Sequence, residues 1–231
     1  MAIDEPALQQ PPIAAPEPPA ATKPRWRGVL HTWAAVAVLP AGIALALLAS
    51  RATVRVGVLV YAVGIGMMFV VSAMYHRGRW TPTVRRMFGR LDHSTIFLGI
   101  AATYTPVVVI GLQGTLRVVM LFAVWFGAAA GITLQWLPVK PPRWLFTACY
   151  LAAGWPAVGV LPQLVRRLGW LTFAFIVAGG LAYTAGAVVY ARKKPDPSPR
   201  TFGFHEVFHS CTIVGAGAHF TAVLLAVVAH G

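Results

Sequence analysis

His205-Glu206-Val207-Phe208-His209 stands at the head of an apolar run that continues to about residue 229. A run of this length is close to the ~20 residues with which a helix crosses the apolar core of a bilayer. On a helix, two histidines four residues apart lie on one face, with about 6 Å between their Cβ atoms. Such a pair offers two imidazoles to one metal ion. The stretch therefore predicts a membrane helix that begins with part of a metal site.

The composition of the whole chain is typical of a membrane protein. Of its 231 residues, 58% are hydrophobic and only 11% are charged, and the mean hydropathy is +0.69. A soluble globular domain carries about twice that share of charged residues. The formal net charge is +13, but the basic residues lie in short loops between apolar runs. The charge therefore indicates orientation in a membrane, and we do not expect nucleic acid as a partner.

Seven apolar runs follow one another after residue 28, each near the length of a membrane span. They are placed at about 29–50, 54–75, 91–112, 115–137, 143–161, 169–191 and 207–229. The predicted fold is therefore all-α, a bundle of seven transmembrane helices that occupies residues 25–231 as one membrane domain. Residues 1–24 hold seven prolines and six alanines, cannot bury a core, and are predicted to form a disordered tail.

The basic residues predict the orientation of this bundle. With seven alternating spans, fourteen of the nineteen lysines and arginines fall on one side of the membrane. These are Lys23, Arg25, Arg27, Arg77, Arg79, Arg85, Arg86, Arg90, Lys140, Arg143, Arg192, Lys193, Lys194 and Arg200. Because cytoplasmic loops carry the excess of positive charge, we expect a cytoplasmic N-terminus and an external C-terminus. The expected location is the inner (plasma) membrane.

The loop between the second and third runs has a pattern of its own. Thr81 followed by Pro82 is typical of a helix cap and a first-turn proline. Trp80, Val84 and Phe88 fall on one helical stripe, with most arginines elsewhere. This pattern predicts a short amphipathic helix in the cytoplasmic headgroup region, although a merely basic loop explains it almost as well.

The residues suited to chemistry all fall at the cytoplasmic end of the predicted bundle. His76 closes the second run, Asp92 opens the third, and His205 and His209 open the seventh. His31, at the start of the first run, lies at the same level. Within the membrane-embedded region, Asp92 and Glu206 are the only acidic residues. Acids at such positions are costly and call for a function or a partner.

Three histidines from two spans suit a zinc ion. Three neutral imidazoles and a water form a tetrahedral zinc centre with an open position, which is the catalytic type. Asp92 could act as general base or bind the metal directly, and His93 could lie in the surrounding layer. Ser72, one turn before His76, could orient the ring or the water. The alternative is a purely structural zinc that joins the second and seventh spans.

The same residues allow a second enzymatic interpretation. Residues 205–209 read H-E-x-x-H, the signature of zinc metalloproteases, in which the glutamate is the general base. An intramembrane protease would need Glu206 to face the metal. We rank this alternative lower, because the motif is short and opens a helix at the membrane surface.

Three ordered motifs on seven spans resemble one known family. They are Ser72-x-x-x-His76 with its basic loop, Asp92-His93-Ser94-x-Ile96 running to Thr103-Tyr104-Thr105-Pro106, and His205-x-x-x-His209. These motifs resemble the hemolysin III group, the bacterial branch of the progestin and adiponectin receptor family. One departure concerns the first span, where many members carry a Glu and an Asn. Here that region reads Arg25-Trp26-Arg27-Gly28-Val29-Leu30-His31.

The resemblance implies a zinc site and a class of function. It assigns His76, His205 and His209 as zinc ligands, Asp92 as the residue that holds the metal-bound water, and Ser72 to the surrounding layer. It implies a zinc-dependent lipid amidohydrolase or esterase of ceramidase type, with membrane lipid as substrate or ligand and lipid homeostasis as the process. Two alternatives stay open, namely a cytolytic or pore-forming protein and a non-catalytic sensor with structural zinc. A pore within one chain would need a polar stripe along several spans, and the runs show none away from these motifs.

Overall fold

The computed structural model describes residues 23–138 and 142–231, which form α-helices joined by short connections. The helices are α1 (Val29–Leu48), α2 (Ala52–Arg77), α3 (Pro82–Gly111), α4 (Gly114–Trp136), α5 (Arg143–Gly154), α6 (Leu161–Arg192) and α7 (Phe204–His230), with a 3-10 helix (Pro156–Val160) between α5 and α6. The all-α prediction is confirmed for these ranges. The predicted tail at residues 1–24 lies outside them, except for its last two residues.

The outer faces of the helices are apolar. On α1, Trp33 and Leu39 each expose 67% of their surface and Leu47 exposes 78%. A soluble monomer rarely exposes contiguous apolar surface on this scale, whereas lipid tails solvate it. In the described ranges, six segments are long and apolar enough to cross a membrane: α1, α2, α3, α4, Trp144–Arg192 and α7. The chain is therefore a multi-pass membrane protein.

The predicted fifth and sixth spans fall together in the 49-residue segment Trp144–Arg192. The backbone of this segment is interrupted twice. The first interruption is the 3-10 helix that begins at Pro156, and the second is Gly169, whose φ of 81° and ψ of 163° divide α6 into residues 161–168 and 170–192. Glycine is nearly the only residue that adopts this conformation. Trp144–Arg192 is one of the six membrane-spanning segments, although two spans were predicted within it. The total of seven spans therefore stays a prediction.

α3 lies at the centre of the bundle. In its most apolar window 72% of residues are buried, whereas no other spanning segment that the structure describes exceeds 44%. α2 approaches it closely, since a Cβ added to Gly64 would lie only 2.3 Å from the Cβ of Ala102. Small residues where two membrane helices cross allow their backbones to approach this closely.

α3 also begins earlier than its apolar run. Pro82 stands at its start, and the Thr81 hydroxyl accepts the Val84 N–H at 3.5 Å, so the predicted cap is confirmed. The predicted helix in this loop is confirmed as helical, but it is not short, because its residues form the first turns of a helix that continues from Pro82 to Gly111. No break in backbone conformation separates the basic turns from the apolar ones.

Contacts along α3 fix the course of the following segment. The Tyr150 hydroxyl donates to the His93 carbonyl at 3.3 Å, and the Tyr104 hydroxyl donates to the Gly154 carbonyl at 2.7 Å. Near the end of α3, Leu164 and Leu168 pack against Gly111. Residues 150–168 therefore run beside α3 in the same direction as α3 itself.

The segments that flank α1 are hydrogen-bonded to the two ends of α7 and the residues beside them. At one end the backbone N–H groups of Arg25 and Trp26 donate to the carbonyls of Arg200 and Thr201, each at 3.2 Å. At the other end Ser50 donates to the Gly231 carbonyl and Arg51 donates to the His230 carbonyl. These bonds hold α1 in register against α7.

Candidate metal centre

Three histidines meet where α2 ends and α7 begins. The ligand nitrogens of His76, His205 and His209 all lie within 4.8 Å of one another. The Nε2 atoms of His76 and His205 are 3.1 Å apart. His76 and His209 are buried, with 7% and 2% of their surface exposed. The structure thus brings together the three histidines that the sequence singles out from two distant helices.

The distance between two of the candidate ligands suits a metal ion in tetrahedral geometry. With Zn–N bonds of about 2.0–2.1 Å, two ligand nitrogens of a tetrahedral zinc lie roughly 3.3 Å apart. The observed 3.1 Å between His76 and His205 is close to that value. Imidazole nitrogens suit zinc, copper, iron and nickel. The three histidines are therefore a candidate metal site with room for a fourth ligand.

Asp92 and Ser72 lie beside the histidines. The Asp92 Oδ2 atom is 3.7 Å from His76 Nε2, a distance that one shared water or metal ligand can span. The Ser72 hydroxyl lies 2.9 Å from His31 Nδ1 and close to the Asp92 carboxylate. Asp92 thus borders the open side of the group, and Ser72 links it to α1.

His31 belongs to this cluster as well. Its ring stacks on that of His209, and its Nε2 atom is buried without a hydrogen-bond partner in the described part of the chain. The sequence places His31 at the same membrane level as the ligands but gives no indication of this contact. The contact depends on how α1 is rotated about its own axis.

Glu206 is directed to other partners. Its Oε1 accepts a hydrogen bond of 2.6 Å from Arg27 Nε, and its Oε2 accepts the backbone N–H of Gly203 at 2.9 Å. The side chain is only 1% exposed. Both carboxylate oxygens are therefore used in an ion pair and a helix cap, which counts against the metalloprotease alternative. Arg27, from the region that departs from the family pattern, supplies the counter-charge.

A further polar layer surrounds the centre. His93 Nδ1 lies 2.7 Å from the Gly89 carbonyl, which can only accept, so this nitrogen carries the hydrogen. In the neutral ring, His93 Nε2 is the acceptor for the Tyr190 hydroxyl at 3.3 Å. The Tyr190 ring lies 6.0 Å from that of His205. This layer connects α3 and α6 to a candidate ligand. Tyr190 was not expected from the sequence, where it is one aromatic residue in an apolar run.

A cavity of about 580 Å³ opens beside the histidines. His76, Asp92 and His205 line it at one level, and it continues between the helices to Tyr183 and His219. Pockets of roughly 300–1,000 Å³ hold organic ligands of drug size. The candidate metal centre therefore faces a space large enough for an organic molecule.

Among the described residues, three cationic side chains line the same cavity near the end that holds the histidines: Lys23, Arg27 and Arg85. Partial burial lowers the pKa of Lys23, and the positive charges of Arg85 and Arg27 lower it further. Their mutual repulsion indicates that positive charge is concentrated there.

Comparisons with known proteins agree with these motifs. The profile of the family described as "Haemolysin-III related" matches residues 20–220. The chain is 30% identical to "Hemolysin-3" of Bacillus cereus over 203 residues, which cover 87% of this chain and 90% of that protein. It is also 30% identical to the "Hemolysin-3 homolog" of Bacillus subtilis (strain 168), over 71% of this chain and 74% of that protein.

A plant relative links the chain to a wider group. The chain is 34% identical to the "Heptahelical transmembrane protein ADIPOR2" of Oryza sativa subsp. japonica over 154 residues, covering 59% of this chain and 66% of that protein. The matched profile covers most of the chain and includes all three histidine positions. The chain therefore belongs to the haemolysin III-related family and, with it, to the progestin and adiponectin receptor family.

Proposed function

We propose that this protein is a zinc-dependent hydrolase that cleaves an amide or ester bond in a membrane lipid. The observation that supports it most is a cluster of three histidines, two of which, His76 and His205, line a cavity of about 580 Å³ together with the Asp92 carboxylate. A structural metal site is normally closed by four protein ligands, whereas a catalytic site keeps a position open. Here the open side faces the cavity.

The roles of the side chains follow from their positions. His76, His205 and His209 would hold the metal. Zinc, when bound, supplies a Lewis acid that lowers the pKa of a bound water to about 7. The Asp92 carboxylate, 3.7 Å from His76 Nε2, borders the open position and is placed to accept a proton as general base. Ser72 lies between Asp92 and His31 and would hold the carboxylate in place.

The proposal includes a bundle that crosses the membrane seven times. Trp144–Arg192 has 49 residues, more than twice the ~20 that one crossing needs. Residues 150–168 run beside α3 in its own direction. Beyond the break at Gly169, Tyr190 packs near His205 and Ile176 bonds to His219, so this part runs antiparallel to α7. Two crossings that turn at Gly169 account for both directions, and the name of the rice relative also describes seven helices.

The proposed site lies at the cytoplasmic face of the plasma membrane. Lys23, Arg27 and Arg85, all in the majority group of basic residues, line the cavity together with the candidate ligands. Cytoplasmic ends of membrane helices carry the excess of lysine and arginine. A lipid of the inner leaflet would thus reach the site with its polar group at the metal and its chain between the helices.

Metal analysis combined with lipid hydrolysis tests the function. Purified full-length protein is expected to hold about one zinc ion per chain and to release fatty acid from some member of a panel of lipid amides and esters. A chelator should abolish release and added zinc should restore it. Asp92→Asn keeps the shape of the side chain but cannot accept the proton, so turnover should fall by on the order of 10² or more with zinc retained. Full function with zinc retained in Asp92→Asn would overturn the hydrolase.

A further inference from the structure

Residues 23–28 form a strap across the end of the bundle where the histidines meet. The backbone N–H groups of Arg25 and Trp26 bond to the loop before α7, as described above, and the last residue of the strap, Gly28, packs on His76. A Cβ added to Gly28 would lie 2.8 Å from the His76 Cβ, and the φ of 78° at this position also favours glycine. The strap therefore runs directly beside the candidate metal centre.

Two cations of the strap and one from α3 lie in the wall of the cavity. Of the residues that the structure describes, these are Lys23, Arg27 and Arg85. Partial burial, and then the charges of Arg85 and Arg27, lower the pKa of Lys23, so the three groups are neighbours. Arg27 and Arg85 are half-buried, whereas Arg25 and Arg86, close to them in the chain, are exposed. The positive charge in the cavity wall is therefore partly shielded from water.

The described carboxylates leave this positive charge largely uncompensated. Arg27 pairs with Glu206 through Nε, and its terminal Nη atoms bond to no described residue. Lys23 and Arg85 have no ion-pair partner in the described ranges, and Asp92, which also lines the cavity, lies beside His76 instead. Each of the three cations therefore keeps N–H donors for a ligand.

Arg85 is held in a defined position. Its guanidinium carbon lies 5.3 Å from the centroid of the Tyr75 ring. That ring packs in turn on Gly89, whose added Cβ would lie 3.4 Å from the Tyr75 hydroxyl oxygen. A guanidinium that stacks on an aromatic face keeps the N–H groups at its edge for an anion, and such a planar fork matches the oxygens of a phosphate. Because Tyr75 also lines the cavity, the fork lies where a bound molecule can reach it.

We infer that Lys23, Arg27 and Arg85 bind a phosphate group on the lipid that occupies the cavity, beside the histidine cluster. The inference rests on the proposed function and deepens it, because it names the substrate class: an acyl lipid whose polar end carries a phosphate next to the amide or ester bond. A phosphate monoester carries about −1.5 to −2 charge at neutral pH and offers three strong acceptor oxygens. A neutral acyl lipid would leave the three cations without a counter-charge.

Two ether lipids test this assignment without turnover, because an ether has no amide or ester bond to cleave. An alkyl-ether glycerol phosphate is compared with the alkyl glycerol ether of the same chain. Each displaces a fluorescent alkyl glycerol ether from the purified full-length protein in phosphatidylcholine nanodiscs. Wild-type protein is expected to bind the phosphorylated probe about 10–100-fold more tightly, as one charge-assisted hydrogen bond or slightly more allows.

Two double variants decide whether the cavity wall is responsible. Lys23→Gln with Arg85→Gln should reduce the preference to about threefold or less, with zinc content unchanged. The matched control, Arg25→Gln with Arg86→Gln, removes the same charge from exposed neighbours outside the cavity, and should leave the preference unchanged. Arg27 is kept in both, because it also has a structural partner. The single variant Arg85→Lys retains the charge, and should retain most of the preference.

Four results would overturn the inference. Equal wild-type affinity for the two probes would show that no phosphate is recognised. A preference that survives in Lys23→Gln with Arg85→Gln would assign the phosphate to the metal, and an equal loss in the control would assign it to the charge of the whole membrane face. If inorganic phosphate abolishes the preference, the site takes the free ion and not a lipid. A protein that shows the preference but hydrolyses no lipid refutes the hydrolase and leaves the phosphate site standing.

Discussion

The imidazoles of His31 and His209 lie parallel, with their centroids 3.7 Å apart and 4° between their planes. His31 is joined on its other side to Ser72, whose hydroxyl is 2.9 Å from Nδ1. One candidate ligand is thereby held by a ring from α1, and that ring is itself held by a residue of α2. The orientation of His209 depends on a helix that supplies no ligand.

The first prediction concerns His31. Replacing it with alanine removes both the stack and the bond to Ser72, and should lower zinc affinity about 10–100-fold, as loss of an orienting residue does elsewhere. His31→Phe keeps the stacked ring, so its zinc affinity should fall less than that of His31→Ala. Competition with a chromophoric chelator measures both, with His230→Ala at the exposed end of α7 as control. Wild-type affinity in His31→Ala would mean that the stack is packing without influence on the metal.

The second prediction separates the ligands from their neighbours. Alanine at His76, His205 or His209 should remove most of the bound zinc and lower the melting temperature, because metal affinity for the folded state adds to folding free energy. A chelator should lower the melting temperature of the wild-type protein and leave the melting temperatures of these variants unchanged. If a variant keeps its zinc, the histidine replaced in it is not a ligand.

The third prediction concerns the pair of Arg27 and Glu206. Glu206→Gln should leave the zinc content of folded protein unchanged, since neither carboxylate oxygen faces the ligands. Stability should fall by about 2–3 kcal/mol, less than the ~3–5 kcal/mol of a fully buried broken pair because Arg27 is 22% exposed.

The double variant with Arg27→Gln closes this thermodynamic cycle. It should recover part of the lost stability, because the unpaired guanidinium is gone. Complete loss of activity in Glu206→Gln with zinc and fold retained would instead restore the metalloprotease alternative.

The fourth prediction tests the number of spans. A reporter fused after Lys194 should be cytoplasmic and one fused at Gly231 external, since α7 separates them. A cysteine in place of Arg167, beside the break at Gly169, should react with an impermeant reagent from outside. Protection of this cysteine in intact cells, with labelling after lysis, would show that Trp144–Arg192 does not turn at the outer face.

The fifth prediction concerns the contact between α2 and α3. Gly64→Ala places a methyl group 2.3 Å from the Ala102 Cβ, and should cost about 1–3 kcal/mol, as overpacking does. Gly127→Ala is the matched control, because nothing lies within 4 Å of its added Cβ. Thermal melting in detergent compares the two. Equal stability would mean that the two helices separate without penalty.

Features encoded locally could be predicted from the sequence. The apolar runs, the Thr81–Pro82 helix start and the spacing of His205 and His209 each depend on neighbouring residues alone. The boundary of the sixth predicted run at residue 169 coincides with the backbone break, because a glycine between two apolar runs marks a turn. The start of α3 was placed too late, because hydropathy reports where a helix enters lipid and not where it begins.

Features that depend on helix rotation could not be predicted. Arg27 and Glu206 are separated by 179 positions in the chain, and their pairing requires α1 to turn one face toward α7. The high cost of a buried acid did indicate that Glu206 needs a partner. It gave no means to choose Arg27 among the many arginines at that level. The same limit applies to the stack of His31 on His209.

The distance along the chain between the two halves of the centre also bears on biosynthesis. His205 follows His76 by 129 residues, and at about 5–20 residues per second a ribosome needs roughly 6–26 s to cover that distance. During this interval α3 to α6 are made, and α1 and α2 stay in the membrane without α7. His31 and His76 would meanwhile face a groove that lipid or a membrane chaperone can fill. The three-histidine cluster can therefore form only after α7 is inserted, and a bundle without α7 is an obligatory stage for each newly made chain.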